Sequence, residues 1–139
     1  HIKYLVHLLG DMHCPTHVYY YPDNMTLGKF PVKLHGVETN YHKIWDGQLL
    51  DSRHKFWGFQ DYRHALDNYT DEEIARMTEG TPVEWFEESA RRCREIYDWV
   101  QPGDELGQEF YNAHAPFAEY QLVLSGYRLA KVLNALFDR

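Results

Sequence analysis

Residues 6 to 17 read Val6-His7-Leu8-Leu9-Gly10-Asp11-Met12-His13-Cys14-Pro15-Thr16-His17, and the fold turns on how this stretch is read. Ile2, Leu5, Val6, Leu8 and Leu9 recur at helical spacing, so an apolar helix is predicted that ends by Pro15. On it His7 and Asp11 stand four apart and project from one face, where an imidazole and a carboxylate can share a metal ion. His17 follows just beyond Pro15, where the chain turns back near the helix end.

A second element, Asn40-Tyr41-His42-Lys43-Ile44-Trp45-Asp46, repeats the pattern: His42 and Asp46 are again four apart on a helix predicted from about Asn40 to Leu50. Taken alone, His7 reads more simply as a hydrogen-bonded core histidine, and His42 with Asp46 as a surface pair. Two such pairs with a histidine between them favour the metal reading. Catalytic zinc takes about three N or O ligands from protein and keeps a position for water, which near neutral pH becomes a nucleophile. His17, His42 and Asp46 make one such set. His7 and Asp11 make half of another, and the two oxygens of Asp11 allow it to bridge two metals. His13, His35, His54, His64 and His114 have no comparable spacing and read as ordinary surface or core residues.

Outward from these motifs the chain reads as all-α. Val18 to Val37 is polar, aromatic and punctuated by Pro22, Gly28, Pro31 and Gly36, with a short hairpin expected around Phe30 to Leu34. Ser52 to Asn68 is aromatic-rich and expected to be partly helical. Thr70 with Glu73, and Thr81-Pro82 with Glu84, are capping boxes that open two further helices. A last helical region is expected over about Glu105 to Phe137, with Leu122, Ser125, Leu129, Val132, Leu133 and Leu136 at helical spacing and Pro116 as a kink or restart. No repeat or linker divides the chain, so residues 1–139 are expected to form one unit.

The chain has 139 residues and a formal charge of −7, which argues against gripping polyanions through a Lys/Arg surface. Bound divalent cations would supply the missing positive charge on a phosphate substrate. No apolar run is long enough to cross a bilayer. Cys14 and Cys93 match none of the zinc-type cysteine spacings; disulfide pairing or free thiols both stay open. The chain starts at His1 in mid-helix with no capping residue before it, as expected of a piece of a longer protein.

Val6 to His17 and Thr39 to Asp46 resemble the two metal motifs of the S1/P1 nuclease family, approximately V-H-x-x-G-D-x-x-Q-P-L-H and N-L-H-x-x-W-D. Glu84 to Ala90 and Tyr127 to Asn134 resemble the family's last two helices more weakly, so the likeness spans nearly the whole chain. It implies an all-α phospholipase C/P1 nuclease-like fold, incomplete because the N-terminal half is absent. It further implies a three-zinc cluster that cleaves phosphodiester bonds of single-stranded DNA and RNA to 5′-nucleotides, with 3′-nucleotidase activity.

By motif position His17, His42 and Asp46 would bind one zinc. His7 and Asp11 would bind another, with Asp11 also touching the third and serving as the catalytic residue. The remaining ligands would come from the N-terminal half, the expected partner, without which this segment should be inactive. A secreted or periplasmic location, and no membrane partner, follow from the same resemblance.

Three local departures stand out. Cys14 replaces the family's Gln, Thr16 its Leu, and Asn24 to Phe30 replaces a Gly-Gly-Asn loop; these bear on substrate preference more than on metal binding. Tyr19-Tyr20-Tyr21 suits base stacking, although packing of the loop is the simpler reading. Trp45 reads as core, and Glu87-Glu88 with Arg91-Arg92 as a solvated face. Two other functions are open: a zinc-dependent phospholipase C-type hydrolase, and a metal-binding segment without catalysis.

Overall fold

The structure, a computed structural model, describes residues 1–18, 28–53 and 55–137. Tyr19 to Tyr21, Asn24 to Leu27 and His54, on which the base-stacking and loop expectations fall, lie outside the described residues. The first helix, α1, spans Ile2–Asp11. Its apolar stripe is mostly uncovered: Leu9 is buried, whereas Ile2, Val6 and Leu8 are exposed.

A hairpin is present, but it is longer than expected: Phe30 to Leu34 covers only its first strand, and the second reaches Asn40. β1 (Pro31–Leu34) pairs antiparallel with β2 (Val37–Asn40), from Pro31 opposite Asn40 to Leu34 opposite Val37. His35 and Gly36 connect them with φ of 49° and 80°, and two consecutive positive φ values are what a tight two-residue hairpin turn requires. The second helix starts where it was expected, and Asn40 caps it by accepting a hydrogen bond from the Lys43 amide at 3.0 Å. It then runs as α2 (Tyr41–Lys43), a π-helical segment (Ile44–Gln48) and α3 (Leu49–Arg53).

Farther on, α4 (Phe59–Leu66) occupies part of the aromatic stretch. Both capping boxes are formed, Thr70 with Glu73 ahead of α5 (Asp71–Met77) and Thr81 with Glu84 ahead of α6 (Pro82–Arg94). A 3-10 turn (Glu95–Asp98) extends α6. β3 (Glu105–Leu106) then pairs parallel with β1, giving a small sheet in the order β2-β1-β3 within a mostly helical chain.

The final helix, α7 (Gln108–Phe137), passes through Pro116 without restarting. Its buried face differs from the expected one. Tyr111, Ala115, Ala118, Gln121, Leu124 and Arg128 are inside, while Leu122 and Leu136 are exposed. The period is the same and the face is rotated. Small Ala side chains admit close neighbours, and the two polar members find partners inside.

The core sits between the hairpin, the π-helical segment, the end of α6 and the first half of α7, around Val32, Tyr41, Ile44, Trp45, Leu49, Ile96, Leu106 and Ala115. Trp45 meets Trp99, Phe110 and Phe117 there, as expected of a core residue. Tyr41 donates its hydroxyl to the Ile96 carbonyl at 2.6 Å. This packing fixes one turn of helix from the inside, and His42 and Asp46 ride on its outer side.

Candidate metal centre

Four contacts link the five sequence-predicted residues. His7 Nε2 lies 3.2 Å from Asp11 Oδ2, and His17 Nδ1 lies 3.2 Å from Asp11 Oδ1. His17 Nε2 lies 2.8 Å from Asp46 Oδ1, and His42 Nε2 lies 3.5 Å from Asp46 Oδ2. The result is an alternating chain, His7–Asp11–His17–Asp46–His42, in which each interior member faces two neighbours. The His17 and His42 rings also stack, with centroids 5.1 Å apart and 23° between planes.

Local structure explains how His17 reaches the middle. After α1 the Cys14 amide donates to Asp11 O and the His17 amide donates to Cys14 O, two successive turns that reverse the chain. Thr16, fully buried, donates its hydroxyl to the His42 carbonyl at 3.4 Å and ties this reversal to α2. Gly28 covers the same point. Its carbonyl accepts from the His42 amide at 2.8 Å, its φ is +73°, and a Cβ there would stand 3.3 Å from Thr16 Cγ2.

Of the histidines set aside, His13 is a structural anchor. It is buried, its Nδ1–H donates to Leu9 O at 2.7 Å, and its Nε2 accepts from Arg128 Nη1 at 3.0 Å. Burial holds its pKa below the ordinary histidine value. His114 stacks on Trp99 at 4.0 Å, and its pKa is likewise lowered by burial. His35 makes the hairpin turn, and His64 is exposed on α4.

One residue of the centre escaped the sequence reading. Cys14 Sγ sits 3.9 Å from Asp46 Oδ1, and Cys14, His17 and Asp46 each offer a donor atom within 4.8 Å of the others. The only signal was position, between Asp11 and His17, because no cysteine motif accompanies it. Cys14 and Cys93 are both free thiols.

The donor set suits a divalent cation on chemical grounds. A neutral imidazole has one N–H, whereas both nitrogens of His17 face carboxylate oxygens. With the ring neutral, one of the two contacts sets a lone pair against an oxygen, and a cation between them would accept both. Imidazole with carboxylate is zinc-type ligation.

The S1/P1 Nuclease family model matches residues 1–138, and the chain belongs to that family. Similar curated proteins include Endonuclease 4 of Arabidopsis thaliana, 26% identical over 99% of this chain and 50% of its own length. Endonuclease 2 of the same plant is 27% identical over 98% of this chain and 51% of its own length. Nuclease S1 of Aspergillus oryzae is 26% identical over 97% and 53%. The chain spans about half the length of these relatives. No helix among the described residues is long and apolar enough to cross a membrane.

Proposed function

We propose that this chain is the C-terminal segment of a single S1/P1-type domain that cleaves phosphodiester bonds of single-stranded DNA and RNA to 5′-nucleotides, with 3′-nucleotidase activity. The reading is supported most directly by the convergence of both His/Asp pairs on His17 in a chain of this family. Zinc is the proposed metal, three ions in the complete enzyme. His17, His42 and Asp46 would hold one, His7 and Asp11 another. When bound, zinc supplies an activated water and stabilises charge on the attacking and leaving oxygens of the phosphate.

The chain's own residues then divide the work. Thr16 and Gly28 hold the His42 backbone, the Asn40 cap opens its helix, and the His17 amide donates to Cys14 O, so the backbone under both histidines is placed before any metal arrives. Asp11 is the proposed catalytic residue: its two oxygens face His7 and His17, so it lies between the proposed ligands of the two metals. The preceding half of the same protein would supply the remaining ligands, and a secreted or periplasmic setting goes with this reading.

The test is hydrolysis by the full-length protein with zinc, with and without chelator, of single-stranded DNA against phosphatidylcholine. Chelator-sensitive cleavage of the DNA is expected. Cleavage of the lipid alone would favour phospholipase chemistry, and cleavage of neither would leave a metal-binding segment without catalysis. Zinc counted by native mass spectrometry should approach three per full-length chain, and His42→Ala should lose one of them.

A further inference from the structure

Cys14 stands among the proposed ligands with no strong partner of its own. Its thiol reaches Trp45 O and Thr16 Oγ1 at 3.8 Å each, long contacts even for sulfur. Its third neighbour is Asp46 Oδ1, the same oxygen that His17 Nε2 approaches at 2.8 Å. Among the described residues the one set of three metal-type donors within 4.8 Å of one another is Cys14, His17 and Asp46. His42 instead addresses the other oxygen of Asp46.

Coordination geometry permits one ion to take these donors. Zinc binds thiolate at about 2.3 Å and imidazole or carboxylate at about 2.0–2.2 Å, and tetrahedral angles then separate sulfur from oxygen by roughly 3.6 Å. The observed 3.9 Å from Sγ to Asp46 Oδ1 needs a shift of a few tenths of an ångström. The two turns around Cys14, closed by its amide to Asp11 O and by the His17 amide to Cys14 O, already fix its backbone on this side.

Resting on the zinc reading above, we propose that Cys14 is a further ligand of the ion held by His17, His42 and Asp46, giving a centre with sulfur, nitrogen and oxygen donors. On binding, the thiol proton leaves to solvent as the sulfur–metal bond forms, with no change of oxidation state. Four protein donors are the count of a closed structural site rather than of one that keeps a position for water. Thiolate ligation also favours zinc or cadmium over magnesium or manganese. In this arrangement the ion beside His42 holds the fold of the centre, and chemistry falls to the metals on the Asp11 side.

Cobalt(II) in the full-length protein tests the inference, because thiolate ligation adds a sulfur-to-metal charge-transfer band that nitrogen and oxygen ligands do not produce. Wild type should show that band, and Cys14→Ser and Cys14→Gln should lose it while keeping the visible d–d bands of bound cobalt. X-ray absorption of the zinc form should show a sulfur scatterer at about 2.3 Å. Zinc affinity in Cys14→Ser should fall by more than the roughly 10–100-fold that losing an outer hydrogen-bonding partner costs. Cobalt d–d bands in wild type without a sulfur band would overturn the proposal, as would a sulfur band that survives in both variants. Wild type that binds no cobalt or zinc at all would instead overturn the metal reading on which it rests.

Discussion

Arg128→Met should destabilise the protein by about 3 kcal/mol. Arg128 is buried on α7 and distributes its guanidinium over three elements. Nε donates to Met77 O at the end of α5 at 3.0 Å, Nη1 donates to His13 Nε2 at 3.0 Å, and Nη2 pairs with Glu88 of α6. The guanidinium carbon also lies 5.3 Å from the centre of the Trp85 ring. Methionine fills most of the volume, so the cavity contribution is small.

Stranding the Met77 carbonyl and the His13 nitrogen costs about 1–3 kcal/mol each. Glu88 is about one-third exposed and keeps Arg92 at 2.8 Å, so its loss is of order 1 kcal/mol or less. Against these, the variant no longer buries a cation, which returns roughly 1–4 kcal/mol. The sum leaves about 3 kcal/mol, a large part of the 5–15 kcal/mol typical of a domain. Urea unfolding followed by circular dichroism would read it as a lower midpoint with an unchanged slope. Glu88→Gln should cost about 1 kcal/mol, and the double variant should fall short of additivity, since the two side chains touch. A loss under about 1 kcal/mol for Arg128→Met, or strict additivity, would refute the view that this cation ties α5, α6 and the turn after α1 to α7.

Gly28→Ala should lower stability by about 1–2 kcal/mol, because alanine resists the +73° φ and its Cβ would crowd Thr16; an unchanged melting temperature would exclude this. Zinc at 100 times its Kd should stabilise the wild type by about 2.7 kcal/mol, and Asp46→Asn should lose most of that gain in the same melting assay. His114, its pKa lowered by burial against Trp99, favours the neutral ring in the folded state. Its contribution is therefore complete above the unfolded histidine pKa of about 6.5 and is lost as pH falls below it. His114→Phe should flatten the decline in urea midpoint between about pH 6.5 and 5, and an identical decline would count against the assignment.

What sequence could reveal divides along the distance over which each feature is decided. Thr70 with Glu73, Thr81 with Glu84 and Asn40 with Lys43 are local hydrogen bonds between residues three apart, so the helix starts were readable from composition and spacing alone. The pairs His7 with Asp11 and His42 with Asp46 are local in the same sense. β3 was not readable, because two residues acquire strand geometry only by lying beside β1, some seventy positions earlier in the chain. The inward face of α7 was not readable either. Gln121 and Arg128 are tolerable inside only because the His13 carbonyl and ring, Met77 and Glu88 meet them there. The expected solvated face of α6 was half right. Arg91 pairs with Glu87 at 3.7 Å in the open, while Glu88 turns towards the buried cation.

The candidate metal centre combines both kinds of information, and its exposure shows where they join. Exposure of the three histidines falls along the chain of contacts, from 69% at His7 through 28% at His17 to 15% at His42. The buried end is made by long-range packing: Tyr41 and Trp45 anchor the helix, and Thr16 and Gly28 close over His42. Among the described residues the open end is made by α1, whose Tyr4, Val6 and Leu8 are exposed close in sequence to His7. A metal at the His42 end would therefore meet ligands already fixed by the core. At the His7 end it would meet an exposed imidazole beside Asp11 and a helix surface with exposed apolar side chains. The proposed preceding half would act on that end, covering α1 and fixing His7 together, so that completing the metal cluster and burying the helix become one event. Asp11 stands between the two ends, which is why it is the residue through which that event would reach His17 and Asp46.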